Sequence, residues 1–355
     1  MTQALSWTTI LAKLLDGESL ERAEASWAMT DIMSGDADSE LVRAFMLALR
    51  SKGETAAELA GLVDVMLEHS VRLESGNDAV DIVGTGGDLA GTVNISTMAA
   101  ILTAAAGIPV MKHGSRSASG KTGSSEMLEV LGVRLDLEPA AVAQVFKDVG
   151  LTFFFAPVFH PAMRHVAPIR KALGVPTTFN FLGPLANPAQ PIATSLGVAN
   201  LHIAPLMAAE MAARGRAALV FRGSDGLDEL TTTGPSHIWQ VSGGVVAEFE
   251  LDPLDLGIER ASVEDLVGGD AQFNARVARS IFGLETTDQD LGAVRDIVLL
   301  NAAGGVVAYE LAKDASQASL SINERFAKAV TKVREALDSG AAAEKLSVWI
   351  AATSA

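Results

Sequence analysis

Apolar residues recur at three- and four-residue intervals through residues 1 to about 70, the spacing of helices buried along one face. Trp7, Ile10, Leu11, Leu14 and Leu15 form one stripe, closed by Asp16-Gly17. Leu41, Val42, Phe45, Met46 and Leu49 form a second, closed by Gly53. Thr55 and Glu58 have the spacing of a capping box, and the stripe that follows is Leu59, Leu62, Val63, Met66 and Leu67. The pattern predicts an all-helical domain over residues 1–73. So short a helical body buries limited area by itself, which leaves apolar surface for a neighbouring domain or another subunit.

The period changes after Glu74-Ser75-Gly76-Asn77-Asp78, a turn-rich stretch that reads as a hinge. Short apolar runs at residues 80–83, 108–111, 151–156, 192–198 and 217–221 read as strands. Helical stretches start near Ser96 and cover residues 124–131, 161–173 and 204–214. Strands alternating with helices indicate an α/β domain with a mostly parallel central sheet over residues 74–355. A hairpin is expected around Ser242-Gly243-Gly244, then helices to a frayed end at residues 351–355.

Composition narrows the function classes. The chain has 355 residues, 49% of them hydrophobic, enough for a sizeable core and two domains. A formal charge of -16 repels a nucleic-acid backbone, so bound phosphate must be held by local loops and metal rather than by a global field. There is no Cys, which excludes disulfides, thiolate metal sites and a Cys nucleophile. The first residues carry no basic region before a long apolar core, and no segment reads as a clean membrane span. These features predict a soluble, cytoplasmic protein with neither nucleic-acid nor membrane partners.

Two loops concentrate the chemistry. Gly84-Thr85-Gly86-Gly87-Asp88 follows the strand at 80–83 and precedes a helix, where glycines let backbone N–H groups and the helix N-terminus meet an anion. A second strand leads into a polar Gly/Ser loop over residues 112–123, with two Lys and an Arg, before the helix at Ser124. Two anion loops in tandem suggest a ligand with two phosphate groups. A dinucleotide fingerprint fails because its third glycine position is Leu89, and a P-loop fails because its leading glycine, Gly114, stands one residue too far from Gly120-Lys121-Thr122. Tight turns alone account for Gly84 and Gly107 but give no reason for the polar side chains gathered beside them.

GTGGD, NIST, KHGxR and GS with LExLGV, followed by residues 155–188 and by DGLDELTTTGP (residues 225–235), resemble in order and spacing the signature of the anthranilate phosphoribosyltransferase family of tryptophan biosynthesis. The resemblance implies binding of 5-phosphoribosyl 1-pyrophosphate (PRPP) by Gly84, Gly87, Asp88, Thr92, Asn94, Ile95, Ser96, Thr97, Lys112 and Ser124. It adds the loop His113, Gly114, Ser115, Arg116, Ser117, Ala118, Ser119 and Gly120. It implies anthranilate binding by Gly84, Ser115 and Arg170, whose guanidinium suits a carboxylate, with His113 near the aromatic ring. It also implies Mg²⁺, up to two ions per subunit, on Ser96, Asp228 and Glu229, and a homodimer through the helical region. Without it, Asp228-Glu229 reads as a solvated acidic turn, Ser96-Thr97 as helix caps, Arg170 as a surface ion pair and His113 as a satisfied polar group.

No general base is assigned, because an arylamine is neutral near pH 7 and has a free lone pair. Where the family reads KHGNR and a Ser-Ser pair, this chain has Ser115 and Gly120, so a contact near the amine is expected to pass through water. Nucleoside phosphorylases share the fold, and a binding paralogue without activity is the non-enzymatic alternative. The segment HPAMRHVAPIR and the motif DGLDEL argue against the first, and the intact loops, the intact Asp228-Glu229 and the acidic balance argue against the second.

Overall fold

The computed structural model describes residues 5–73, 75–116 and 121–354. Its first unit is four helices, α1 (Trp7–Leu15), α2 (Arg22–Ser34), α3 (Ser39–Lys52) and α4 (Ala56–Glu68). Thr55 caps α4, and Glu58 closes the box by accepting the Thr55 N–H at 2.8 Å. Glu58 is fully buried and also takes the Leu20 N–H at 2.8 Å and the Lys52 ammonium at 3.0 Å, so one carboxylate ties α3 to α4.

The stripe pattern gives no hint of α2, whose inner face mixes Ala25 and Ala28 with Met29, Ile32 and Met33. Those alanines let it cross α4 closely: a Cβ on Gly61 would lie 2.4 Å from the Arg22 carbonyl. Val166, Phe179, Leu182 and Ala186, far along the chain, complete the core of the helical unit.

Seven strands form one sheet in the order β3-β2-β1-β4-β5-β6-β7. They are β1 (Val80–Gly84), β2 (Val110–Gly114), β3 (Leu151–Phe155), β4 (Ala193–Gly197), β5 (Ala217–Gly223), β6 (Ser236–Ser242) and β7 (Val245–Leu251). The first five are parallel, and β6 and β7 are the expected hairpin, antiparallel at one edge. Helices α5 (Ile95–Ala105), α6 (Ser124–Leu131) and α7 (Pro139–Val149) alternate with the strands, and β1 pairs with both β2 and β4. That order places a switch point between β1 and β4, the place where open parallel sheets leave a crevice at the strand C-termini.

The structure shifts several expected boundaries. β2 starts at Val110 because Pro109 has no N–H for a ladder, and it runs on through Gly114. Lys112, His113 and Gly114 are therefore strand residues, not loop residues. The helix expected over 161–173 is a 3₁₀ turn, Pro161–His165, followed by Ala167–Leu173, with Pro168 in its first turn. The expected fraying is corrected over residues 351–354, Ala355 lying outside the described residues: the last helix runs Ala341–Ser354, and buried Thr353 accepts the Arg134 N–H at 3.2 Å. Its stripe holds the end down against the segment after α6.

Gly292–Lys313 is long and apolar enough to cross a membrane, and 72% of its most apolar window is buried inside the protein. It lies against α5 and the sheet, packing so close that a Cβ on Gly305 would lie 2.6 Å from Ile82. It is the central helix of the larger core.

Candidate active site

The C-terminal ends of β1 and β2, with Asp228 and Glu229, line the floor of a cavity of about 560 Å³ beside the β1–β4 switch point. Gly84 and Gly197 are register partners there, and the loop carrying Asp228 lies directly on them. A Cβ on Gly84 would stand 2.2 Å from Asp228 Oδ2, and one on Gly197 would stand 1.7 Å from the Asp228 carbonyl oxygen. Gly84 thus makes room for a protein carboxylate, a use that the phosphate-loop reading did not supply. Gly86 and Gly87 have φ of 68° and 85°, the left-handed region that glycine tolerates, and the Gly86 N–H donates to Asp228 Oδ2 at 2.7 Å.

The Asp228 loop is fixed from both sides. Asp225 accepts the hydroxyls of Thr231 and Thr233, each at 2.6 Å, and Asn301 on the central helix holds Leu230 through its N–H (2.9 Å) and carbonyl (2.8 Å). Asp228 and Glu229 are each only 9% exposed. The solvated acidic turn is thereby ruled out.

The end of β2 and the start of α5 form the next wall. Buried Lys112 donates to the Ile82 carbonyl at 2.5 Å and to Ser96 Oγ at 3.3 Å. The expected hydroxyl capping of α5 is absent: Asn94 is the N-cap without a side-chain cap bond, and the Ser96 N–H instead meets Glu229 Oε1 at 3.1 Å. Thr97 Oγ1 is buried on the cavity wall with no hydrogen-bond partner among the described residues. The Asn94 amide bridges the Thr122 carbonyl (3.2 Å) and Asn274 (2.8 Å), holding the two phosphate-type loops together. Arg116 forks onto Glu129 at 2.8 and 3.1 Å in an exposed pair of the kind that contributes little, so its guanidinium is readily released to a ligand. Ser124 Oγ donates to the Ser115 carbonyl at 3.2 Å.

The opposite wall comes from the helical side. Helix Phe179–Leu185 buries Phe179 and Leu182 in the helical unit's core and lines the cavity with Phe179, Asn180, Gly183 and Pro184. Pro184 inside this helix hid it from a periodicity reading, although the residues stand in the resemblance segment. Arg170 reaches the cavity from Ala167–Leu173 and makes no side-chain hydrogen bond or ion pair among the described residues, so it is no surface ion pair. Burial holds its guanidinium below the usual arginine range. His113 Nδ1 donates to the Gly183 carbonyl at 3.0 Å, since a carbonyl only accepts, and its Nε2 is buried without a partner among the described residues.

Every expected site residue within the described stretches lines this one cavity, including Thr92, Ile95 and Asp88. Ser117, Ala118, Ser119 and Gly120 lie outside the described residues.

Electrostatics divide the cavity. Burial, and then Asp88, push the Asp228 carboxyl up to about 7, and burial followed by Asp228 pushes Glu229 well above the usual carboxylate range. Burial lowers Lys112, opposed by Asp81, Glu229 and Asp228, and lowers His113 to about 3, which keeps it neutral. Among the described residues no Lys or Arg pairs with Asp228 or Glu229, and no group of three His, Asp or Glu closes around a metal. Two buried carboxylates with no direct ion pair, near Lys112 and beside one hydroxyl, suit a divalent cation that keeps waters and takes phosphate oxygens, as Mg²⁺ does.

Residues 76–343 match the family model described as glycosyl transferase family, a/b domain, and residues 8–70 match its helical bundle domain. The chain is 52% identical to an anthranilate phosphoribosyltransferase of Leifsonia xyli subsp. xyli over 353 residues, 99% of this chain and 100% of that one. The chain belongs to the anthranilate phosphoribosyltransferase family. Solved structures of such transferases agree with it along their whole length. The Saccharomyces cerevisiae enzyme in complex with PRPP and Mg is 28% identical with a TM-score of 0.86, covering 98% of each chain. The same yeast enzyme in complex with 4-fluoroanthranilate is 28% identical with a TM-score of 0.84, covering 99% of each.

Proposed function

We propose that this chain transfers the 5-phosphoribosyl group of PRPP to the amine of anthranilate, giving N-(5-phosphoribosyl)anthranilate and pyrophosphate, in tryptophan biosynthesis. One observation carries the reading: a single cavity joins two unlike half-sites. One is an anion site on a helix N-terminus beside two buried carboxylates, and the other holds an unpaired, half-buried arginine.

At the first half-site, the α5 N-terminus, the Thr97 hydroxyl, Lys112 and the released Arg116 are donors for the diphosphate and ribose phosphate. Asp228, Glu229 and the Ser96 hydroxyl would hold Mg²⁺, one or two ions per subunit, which supplies positive charge for the pyrophosphate leaving group when bound. At the second, Arg170 takes the anthranilate carboxylate in a fork, and the neutral His113 stands near the aromatic ring. The C1–oxygen bond to pyrophosphate breaks as the nitrogen–C1 bond forms, and the amine then loses one proton. Orientation and leaving-group stabilisation carry the rate, so no strong base is needed.

The remaining roles expected of Gly84, Gly87, Asp88, Thr92, Asn94, Ile95, Gly114, Ser115 and Ser124 form part of the same proposal. So do the division at residues 73 and 74, a cytoplasmic location and a homodimer through the helical unit. The test is product analysis with PRPP, anthranilate and Mg²⁺: one pyrophosphate should appear for each phosphoribosylated anthranilate. Pyrophosphate release that is indifferent to anthranilate would overturn the acceptor assignment.

A further inference from the structure

A third loop lies against both phosphate-type loops. Residues 266–269 run as a short strip along residues 91–93: the Val93 N–H donates to the Leu266 carbonyl at 3.0 Å, and the Gly268 N–H donates to the Gly91 carbonyl at 2.9 Å. A Cβ on Gly268 would stand 2.6 Å from the Thr92 carbonyl oxygen, so so close an approach needs glycine there. Gly269 then lines the cavity, and the helix Ala271–Ile281 follows, carrying Asn274 with 1% exposure.

Four hydrogen bonds close a circuit across the three loops. The Gly269 N–H donates to Asn274 Oδ1 at 2.9 Å, Asn274 Nδ2 donates to Asn94 Oδ1 at 2.8 Å, and Asn94 Nδ2 donates to the Thr122 carbonyl at 3.2 Å. The Thr122 hydroxyl returns to the Gly269 carbonyl at 2.9 Å. The direction of the two amides is dictated by its ends. The series starts on a backbone N–H, which only donates, and finishes on a backbone carbonyl, which only accepts, so each carboxamide has one possible orientation. Asn94 therefore commits its oxygen to Asn274 and one N–H to Thr122. Its second N–H has no partner among the described residues, and Asn94 lines the cavity.

We infer that Asn274 is a positioning residue for PRPP: it fixes the Asn94 amide so that a donor, and not the carbonyl oxygen, meets the anionic ligand. The inference rests on the proposed reaction, in which Asn94 faces PRPP, and goes one layer behind it. The position needs an acceptor and a donor on one short side chain, which a carboxamide supplies and neither an ionised Asp nor a Leu does. Arg170, on the opposite wall, has no part in the circuit.

Calorimetric titration with PRPP in Mg²⁺, without an acceptor, reads the effect in the wild type, Asn274→Ala, Asn274→Asp, Asn94→Ala and the double variants. Asn274→Ala should weaken PRPP about tenfold. Asn274→Asp keeps the volume and the Gly269 bond but sets an oxygen against Asn94 Oδ1, so the Asn94 amide must turn and the loss should be at least as large. Because Asn274 acts through Asn94, adding either Asn274 substitution to Asn94→Ala should cost less than about twofold more. The KM for anthranilate at saturating PRPP should stay within about twofold of the wild type.

Unchanged PRPP affinity in Asn274→Asp would overturn the inference. Losses that add in the double variants would do the same, because they mark a residue that only holds the fold. If Asn274→Ala does not fold, the set built on Asn274→Asp decides alone. A wild type that binds PRPP but leaves anthranilate untouched removes the acceptor assignment and leaves this comparison standing, whereas a wild type that binds no PRPP removes both.

Discussion

Asp228→Asn should make the ligand-free protein more stable while removing its activity. Asp228 is buried, receives the Gly86 N–H at 2.7 Å and forms no ion pair among the described residues, so Asn Oδ1 keeps the hydrogen bond while the charge disappears. The wild-type carboxyl is raised from 3.8 to about 7. Its contribution to stability is therefore favourable at acid pH and is lost as pH rises through the folded value. At about 1.4 kcal/mol per pH unit of displacement, the penalty is on the order of 4 kcal/mol at pH 8.5 and falls below half of that at pH 5.

For a chain of 355 residues, 1 kcal/mol corresponds to roughly 1.3 °C in Tm, so the variant should melt about 3–5 °C higher at pH 8.5 and about 2 °C higher at pH 5. Calorimetry in chelator measures the shift. Turnover should drop by about 10²-fold or more, because charge stabilisation of the leaving group is lost. A variant less stable than wild type at pH 8.5, or an advantage equal at both pH values, would refute the idea that an uncompensated buried charge is stored here.

Other consequences follow from the same geometry. Gly197→Ala places a Cβ 1.7 Å from the Asp228 carbonyl, so the loop must move; stability should fall by about 1–3 kcal/mol in chemical denaturation, and activity should fall further than stability explains. Arg170→Gln should raise the KM for anthranilate by about 10- to 150-fold, the worth of a charge-assisted hydrogen bond, with the KM for PRPP and the Tm unchanged in steady-state and melting assays. Because Asp228 must lose its proton to take a metal, the Mg²⁺ concentration for half-maximal rate should rise about tenfold from pH 8 to pH 6. A flat profile would contradict the placement of Mg²⁺ on that carboxylate.

The fold was legible where local rules act alone. Glycine stops, the Thr55 box and the alternation of apolar runs located the helical unit, the parallel strands and the hairpin. It was less legible where long-range packing overrides local pattern. Helix α2 has an alanine face that is apolar only because α4 comes close at Gly61. Phe179–Leu185 contains a proline, and its helix is held by the core of a unit more than a hundred residues earlier in the chain.

The candidate site followed from motifs, but its electrostatics did not. Nothing in DGLDEL says that Asp228 is buried over Gly84 and Gly197; that depends on the register of β1 with β4 and on the Asn301 anchor. Likewise, Lys112 and His113 read as loop residues until β2 proves to extend to Gly114, which buries both.

The most direct measurement is the decay of anthranilate fluorescence with purified protein, PRPP and Mg²⁺, against controls lacking each component in turn. Decay that needs all of them, and that Asp228→Asn abolishes in a well-folded protein, is the predicted result. Folded wild-type protein that leaves the fluorescence unchanged at saturating PRPP and Mg²⁺ would contradict the assignment of anthranilate as the acceptor.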